Sequence, residues 1–243
     1  MTTALSRQDE QALWSGRIYT IRKVVDAPSL SDDWLANSWA SADLLRIEHF
    51  HPCSGTHRPK TQAKVLYDRR GLYLFFHVED QYVRATQTDY QSRVSLDSCV
   101  EFFVRPRPEN GYFSFEMNCG GTLLLYYITD WARARNNGKL FRSYIEVPPD
   151  LGRLVQIKTS LPRVVLPEIH SPLIWLLRAF IPFSLFEHYL GPLGDVAGQQ
   201  WTGNFFKCGD ATSHPHWASW SRIGKKLRFH NPTYFGQLLF EPQ

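Results

Sequence analysis

The run LYDRRGLYLFFHV (Leu66–Val78) places two stretches of strand-forming residues around a tight turn, and this pattern recurs down the chain. Val65–Tyr67 and Leu72–Val78 flank Asp68 and Gly71, both favoured in turns. Ser98–Val104 and Tyr112–Asn118 flank RPRPENG, a loop by its two prolines and its Asn-Gly. Thr122–Ile128, Arg153–Thr159, Ile174–Ile181 and Phe235–Phe240 complete the set. Short strands with a turn signal about every 8–12 residues predict an all-β fold. We expect an antiparallel β-sandwich, with jelly-roll or immunoglobulin-like layers and one or two short helices. One helix is expected at Pro182–Leu190, where Ser184 and Glu187 form a capping box ahead of Gly191-Pro192. SDDWLANSWASADLL offers another turn or two. Without repeats or linkers, residues 1–243 read as a single β-sandwich domain, with residues 1–45 as an N-terminal arm leading into it.

The sandwich gives the hairpin at Leu96–Leu125 an unusual face. Strand side chains alternate. Val100, Phe102 and Val104 therefore share one side with Phe113, Phe115 and Met117, while Asp97, Cys99 and Glu101 share the other with Glu116 and Asn118. Registers that keep core against core set Glu101 opposite Glu116 or opposite Ser114. Opposed Cβ atoms lie about 4.5–5.5 Å apart. That is unfavourable for two carboxylates without compensation. The face therefore reads as a solvated sheet surface, a catalytic pair, a metal site or a sugar-binding floor. The separation is compatible with a retaining glycosidase, whose carboxyls stand about 5–5.5 Å apart. Nucleophile-elbow, HExxH and phosphate-loop motifs are all missing.

Gln199–Trp220 reads as a loop rich in aromatic residues. Flat rings suit the apolar faces of sugars, while hydroxyls need carboxylate, amide or guanidinium partners. Trp201 and Trp131 read equally as platforms or as core plugs, and Trp220 as core. His214 and His216 read as loop histidines, without diagnostic metal spacing.

The net charge of +4 comes without a dense basic run, so nucleic acid is not an expected partner. No apolar stretch reaches the ~18–20 residues of a membrane helix, and the start lacks a signal-peptide apolar run. The chain as written reads as soluble and cytoplasmic, or as secreted or periplasmic if its start is truncated. Oligomeric state is left open. The 4 cysteines lack CxxC spacing and read as free thiols, with a Cys99–Cys119 bridge as the alternative.

Seven segments then occur in order: LYDRRGLYLFFHVED, LDSCVEFFVRP, YFSFEMNCGGTLLL, IPFSLF, WTGNFFKCGD, HWASW and FHNPTYFGQLLF. Together, over Ala63 to Phe240, they resemble the family 9 carbohydrate-binding modules and their bacterial relatives. The resemblance implies a two-sheet sandwich with structural calcium. It also implies a site that clamps the end of a glucan or xylan chain between two tryptophans, with a carboxylate and an Asn or Arg on the terminal hydroxyls. Glu101 matches the family's strand carboxylate and Asn204 its loop asparagine. Asp80 lies near the family's calcium position. The loop ATQTDYQSRVSLD carries Tyr90 where the family has its first Trp, and Asn204 is followed by Phe205 and Phe206.

The resulting expectation is a non-catalytic carbohydrate-binding domain that recognises a glycan or the end of a polysaccharide. Its candidate ligand-binding residues are Glu101, Asn204, Glu116, Asn118, Trp201, Tyr90 and Trp131. Asp80 and Asp97 are the candidates for calcium. The alternatives are a glycoside hydrolase using Glu101 and Glu116, a haem protein using Met117, and an interaction module that has lost its ligand.

Overall fold

The computed structural model describes residues 16–134 and 141–242. Within them the runs form strands β1 (Ile18–Lys23), β2 (Leu45–Ile47), β3 (His49–Phe50), β4 (Lys60–Tyr67), β5 (Gly71–Asp80), β6 (Val83–Ala85), β7 (Cys99–Arg105) and β8 (Tyr112–Asn118). There follow β9 (Leu123–Arg133), β10 (Phe141–Glu146), β11 (Gln156–Thr159), β12 (Val165–Ile169), β13 (Leu173–Pro182), β14 (Gln200–Cys208), β15 (Trp217–Ser219) and β16 (Gly236–Phe240). Helices α1 (Pro149–Gly152) and α2 (Phe183–Leu190) are short. No helix among the described residues is long and apolar enough to cross a membrane.

One sheet runs β10-β9-β8-β7-β14-β16-β1 and the other β1-β4-β5-β13-β11. β1 serves both. Ile18–Ile21 pair in parallel with Gln237–Phe240, then Arg22 and Lys23 with Leu66 and Tyr67. The remaining pairs in the two sheets are antiparallel. Val100, Phe102, Phe113, Phe115 and Met117 of one inner face share the main core with Leu74, Phe76, Val78, Trp175 and Leu177 of the other. Removing such side chains from water supplies about 1.5–3 kcal/mol each. Met117 is a core side chain here, fully buried, and offers nothing to a haem.

Four details differ from the sequence reading. The expected arm contributes β1, which closes the two sheets together; its residues 1–15 lie outside those described. Ser184 is not the helix cap: Pro182 stands there, without a side-chain cap. The strand expected at Arg153–Thr159 begins only at Gln156, after the turn of α1. Most consequentially, Gln200–Cys208 is a central strand, flanked by β7 and β16. Both of its faces are buried, so it lacks the polar-apolar alternation of a half-exposed strand. Lys207 and Asn204, which made it look like a loop, are both fully buried.

Candidate functional site

β7 and β8 pair in the register that sets Glu101 directly opposite Glu116. Their face is not the solvated surface that charge alone suggests. Cys99, Phe103, Tyr112, Leu124, Tyr126, Phe206 and Phe235 form a second buried cluster there, with Ile223 and Phe229 packed onto it. Glu101 is 3% exposed and Glu116 7%. What exposure remains faces a cleft of about 520 Å³. Glu101, Glu116 and Cys208 form its floor, and Ser95, Asp210, Trp217, Phe229, His230, Arg228 and Arg133 are among its walls.

Several wall residues are held by neighbours. Trp217 Nε1 donates to Asp210 Oδ1 at 2.7 Å, and Ser95 Oγ donates to Asp210 Oδ2 at 3.1 Å. Phe229 stacks on Phe206 with ring centroids 4.1 Å apart. His230 Nδ1 is 3.0 Å from the Tyr112 hydroxyl, and its Nε2 lies 3.7 Å from Glu116 Oε1. Burial, then Arg228 and Arg133, hold His230 neutral by lowering its pKa to about 3.

The floor is electrically unusual. Burial pushes Glu101 well above the usual carboxylate range, with Cys208 and Glu116 adding to the rise. Burial and then Asp210 raise Glu116 to about 8. Cys208 Sγ contacts Glu101 Oε1 at 3.1 Å. A carboxyl that keeps its proton donates one hydrogen bond and accepts others, which complements a hydroxyl in both roles. The floor therefore presents donors and acceptors beside flat rings.

The other expected site residues lie elsewhere. Asn204 is fully buried: its Nδ2 donates to the carbonyls of Ser221 and Tyr234, and its Oδ1 accepts from the amides of Phe205 and Ser221. Its amide is thereby committed to holding the following segment against β14. Asn118 donates to Gln87 O and Asp97 Oδ2 and accepts from Thr122 N, tying the hairpin's far end to the loop after β6. Trp201 is a core plug, 1% exposed, among Phe183, Phe186 and Phe240. Tyr90 donates to Val147 O and lines a separate hollow with Gly152 and Arg163. Trp131 packs beside Tyr112 with the Arg105 guanidinium 5.5 Å from its ring, and does not line the cleft.

Asp80 and Asp97 do not fit calcium as they stand. Asp97 accepts from Thr86 N, Gln87 N, Thr86 Oγ1 and Asn118 Nδ2, with Arg84 Nε at 3.4 Å. Asp80 Oδ1 is 2.7 Å from His57 Nε2 and accepts from Gln81 N, while its Oδ2 meets Trp175 Nε1 and Lys207 Nζ. Calcium needs six to eight oxygen ligands. Here the carboxylate lone pairs face N–H and O–H donors, and a buried ammonium already supplies the positive charge.

Trp217, Asp210, Phe229, His230 and Arg228 line the cleft without having been singled out from sequence. The signal for the first two was the aromatic and acidic content of CGDATSHPHW. The others come from GKKLRFH, which reads only as a mildly basic stretch.

The profile of carbohydrate-binding family 9 matches residues 38–240. A search of curated proteins returned no match. Among solved structures, a Bacteroides uniformis ATCC 8492 protein to which carbohydrate binding has been ascribed superimposes with a TM-score of 0.77. It is 28% identical, and the match covers 93% of this chain and 100% of that one. A family 9 module from Caldicellulosiruptor kristjanssonii in complex with cellotriose gives a TM-score of 0.61 at 12% identity, covering 93% of this chain and 95% of that one. The glucose complex of such a module from the same organism gives 0.61 and 12%, covering 93% and 97%. These two show a shared fold.

Proposed function

The chain belongs to carbohydrate-binding family 9, and from that premise we propose that the cleft over Glu101 and Glu116 is its glycan site. The protein is a non-catalytic carbohydrate-binding module. The observation that carries the assignment is the pairing of two opposed, buried carboxyls with Trp217, whose ring is fixed by its bond to Asp210. Glu101 and Glu116 bind hydroxyls, Trp217 packs on a ring face, and Arg228 at the wall donates to ring or hydroxyl oxygens. A cleft of about 520 Å³ suits a short length of chain, such as the end of a polysaccharide. Because its C. kristjanssonii counterparts were solved with cellotriose and glucose, β-glucan ends are the first ligands to test.

The same electrostatics argue against hydrolysis. A retaining glycosidase needs an ionised nucleophile beside a protonated acid. Here burial pushes both carboxyls toward the protonated form.

The test is calorimetric titration with mono- and oligosaccharides in the presence of EDTA. Glu101→Ala removes a floor partner and is expected to lower affinity about 10- to 100-fold, the loss of one or two buried hydrogen bonds. Circular dichroism of that variant should match wild type. Full affinity in Glu101→Ala would overturn the assignment of the site.

A further inference from the structure

Cys99 stands directly opposite Cys208 across the β7–β14 pair, and Glu101 lies two residues along β7 on the same face. The two Sγ atoms and a Glu101 carboxylate oxygen all lie within 4.8 Å of one another. All three residues are buried, on two adjacent inner strands of the sheet. Cys208 and Glu101 border the cleft, so an ion reaches them from solvent.

We propose that this trio is a zinc site, with Cys99 Sγ, Cys208 Sγ and one Glu101 oxygen as ligands and the fourth position open to the cleft. The donor set selects the metal. Two thiolates and a carboxylate suit a borderline-soft tetrahedral ion and reject calcium and magnesium, which prefer oxygen alone. The spacing fits as well. Bonds of about 2.3 Å to sulfur and 2.0–2.2 Å to oxygen place tetrahedral ligand atoms roughly 3.5–3.8 Å apart. Cys208 Sγ and Glu101 Oε1, 3.1 Å apart, need only separate slightly, and small side-chain rotations bring the wider contacts, all within 4.8 Å, to this spacing.

The floor differs in kind from the Asp80 and Asp97 environments. There, internal ammonium, guanidinium and amide groups surround the carboxylates. Here the buried cation of the same strand, Lys207, is bonded to Asp80, His216 Nε2 and the Cys208 carbonyl. Glu101 Oε1 accepts from the Cys208 thiol, itself one of the proposed ligands. Binding sends the thiol protons to solvent and leaves the ion's open position facing the place where a sugar hydroxyl would enter. Three protein ligands with one exchangeable position is a common arrangement for zinc.

The experiment uses the full chain, reduced and metal-stripped, titrated with cobalt(II) and then zinc(II). We expect one cobalt per chain, a thiolate-to-cobalt charge-transfer band, tetrahedral visible bands, and bleaching of both by zinc. Cys208→Ser and Cys99→Ser should each weaken binding at least about tenfold, while the exposed Cys53→Ser leaves it unchanged. Glu101→Gln keeps both thiols and guards against misfolding of the cysteine variants: it should retain the charge-transfer band with weakened affinity. A missing charge-transfer band in wild type, a band undiminished in Cys208→Ser, or unchanged affinity in Glu101→Gln would each overturn the site. No sugar enters this titration, so its failure leaves the glycan reading standing, and the EDTA titration above tests that reading without metal.

Discussion

Lys207 is the residue on which the interior charge balance turns. It is fully buried, 3.4 Å from Asp80 Oδ2 and 2.7 Å from His216 Nε2. An ammonium only donates, so His216 Nε2 accepts, and the Nδ1 proton goes to His214 O at 2.9 Å. Burial and then Lys207 lower the His216 pKa to about 3. A histidine whose folded pKa is depressed lends stability above its unfolded value of about 6.5 and loses it as pH falls toward 3. Thermal denaturation from pH 7 to 4 should therefore show Tm falling with acidity. The fall should be shallower in His216→Gln, by up to about 1.4 kcal/mol per pH unit. Lys207→Met strands the Asp80 carboxylate and should cost about 3–5 kcal/mol in urea denaturation, much of it regained in Lys207→Met with Asp80→Asn. Little of this was legible beforehand. Asp80 is visible in HVED and Lys207 in FFKCGD, but sequence does not say that the two meet across the sandwich. The family resemblance placed Asp80 near a calcium position instead.

At the scale of elements, the hairpin was readable and β14 was not. Strict alternation in SCVEFFV and YFSFEMN leaves few registers, and the observed one is among them. β14 hid because its polar residues serve the interior: Asn204 bonds four backbone groups and Lys207 an ion pair. The resemblance placed Asn204 among the sugar ligands, yet its amide is spent on Ser221, Tyr234 and Phe205. Asn204→Ala should leave several buried backbone groups without partners, at about 1–3 kcal/mol each. Chemical denaturation checks the size of that loss, and calorimetry on the folded fraction should return near wild-type sugar affinity. Trp201, read equally as a platform or a core plug, is a core plug for the same reason. Trp201 lies on the core face of a central strand, whereas Trp217 begins a short strand at the cleft wall. No periodicity distinguishes the two while β14 reads as a loop.

For the whole molecule, the sandwich class and the carboxylate floor followed from the sequence, while the cover over that floor did not. Phe206 stands beside Glu101 on β14, and Phe229, from a segment with weak local signals, stacks on it by tertiary packing. That cover shields the carboxylate face from solvent and pushes its carboxyls up. Lys207 supplies the Asp80 carboxylate with a positive charge from within the chain. Adding millimolar calcium to the metal-stripped protein should accordingly leave Tm unchanged in differential scanning calorimetry. A rise of several degrees with calcium would contradict this reading of Asp80 and Asp97.

The most direct test of the central claim sets Trp217 against Trp201 in one calorimetric series with cello-oligosaccharides. If the cleft over Glu101 and Glu116 is the glycan site, Trp217→Ala loses about tenfold or more in affinity while its fold is kept. Trp201→Phe, a change deep in the core, should lower Tm and leave affinity within about twofold. Affinity unmoved by Trp217→Ala but lost in a folded Trp201→Phe would contradict the account and put the sugar elsewhere on the sandwich.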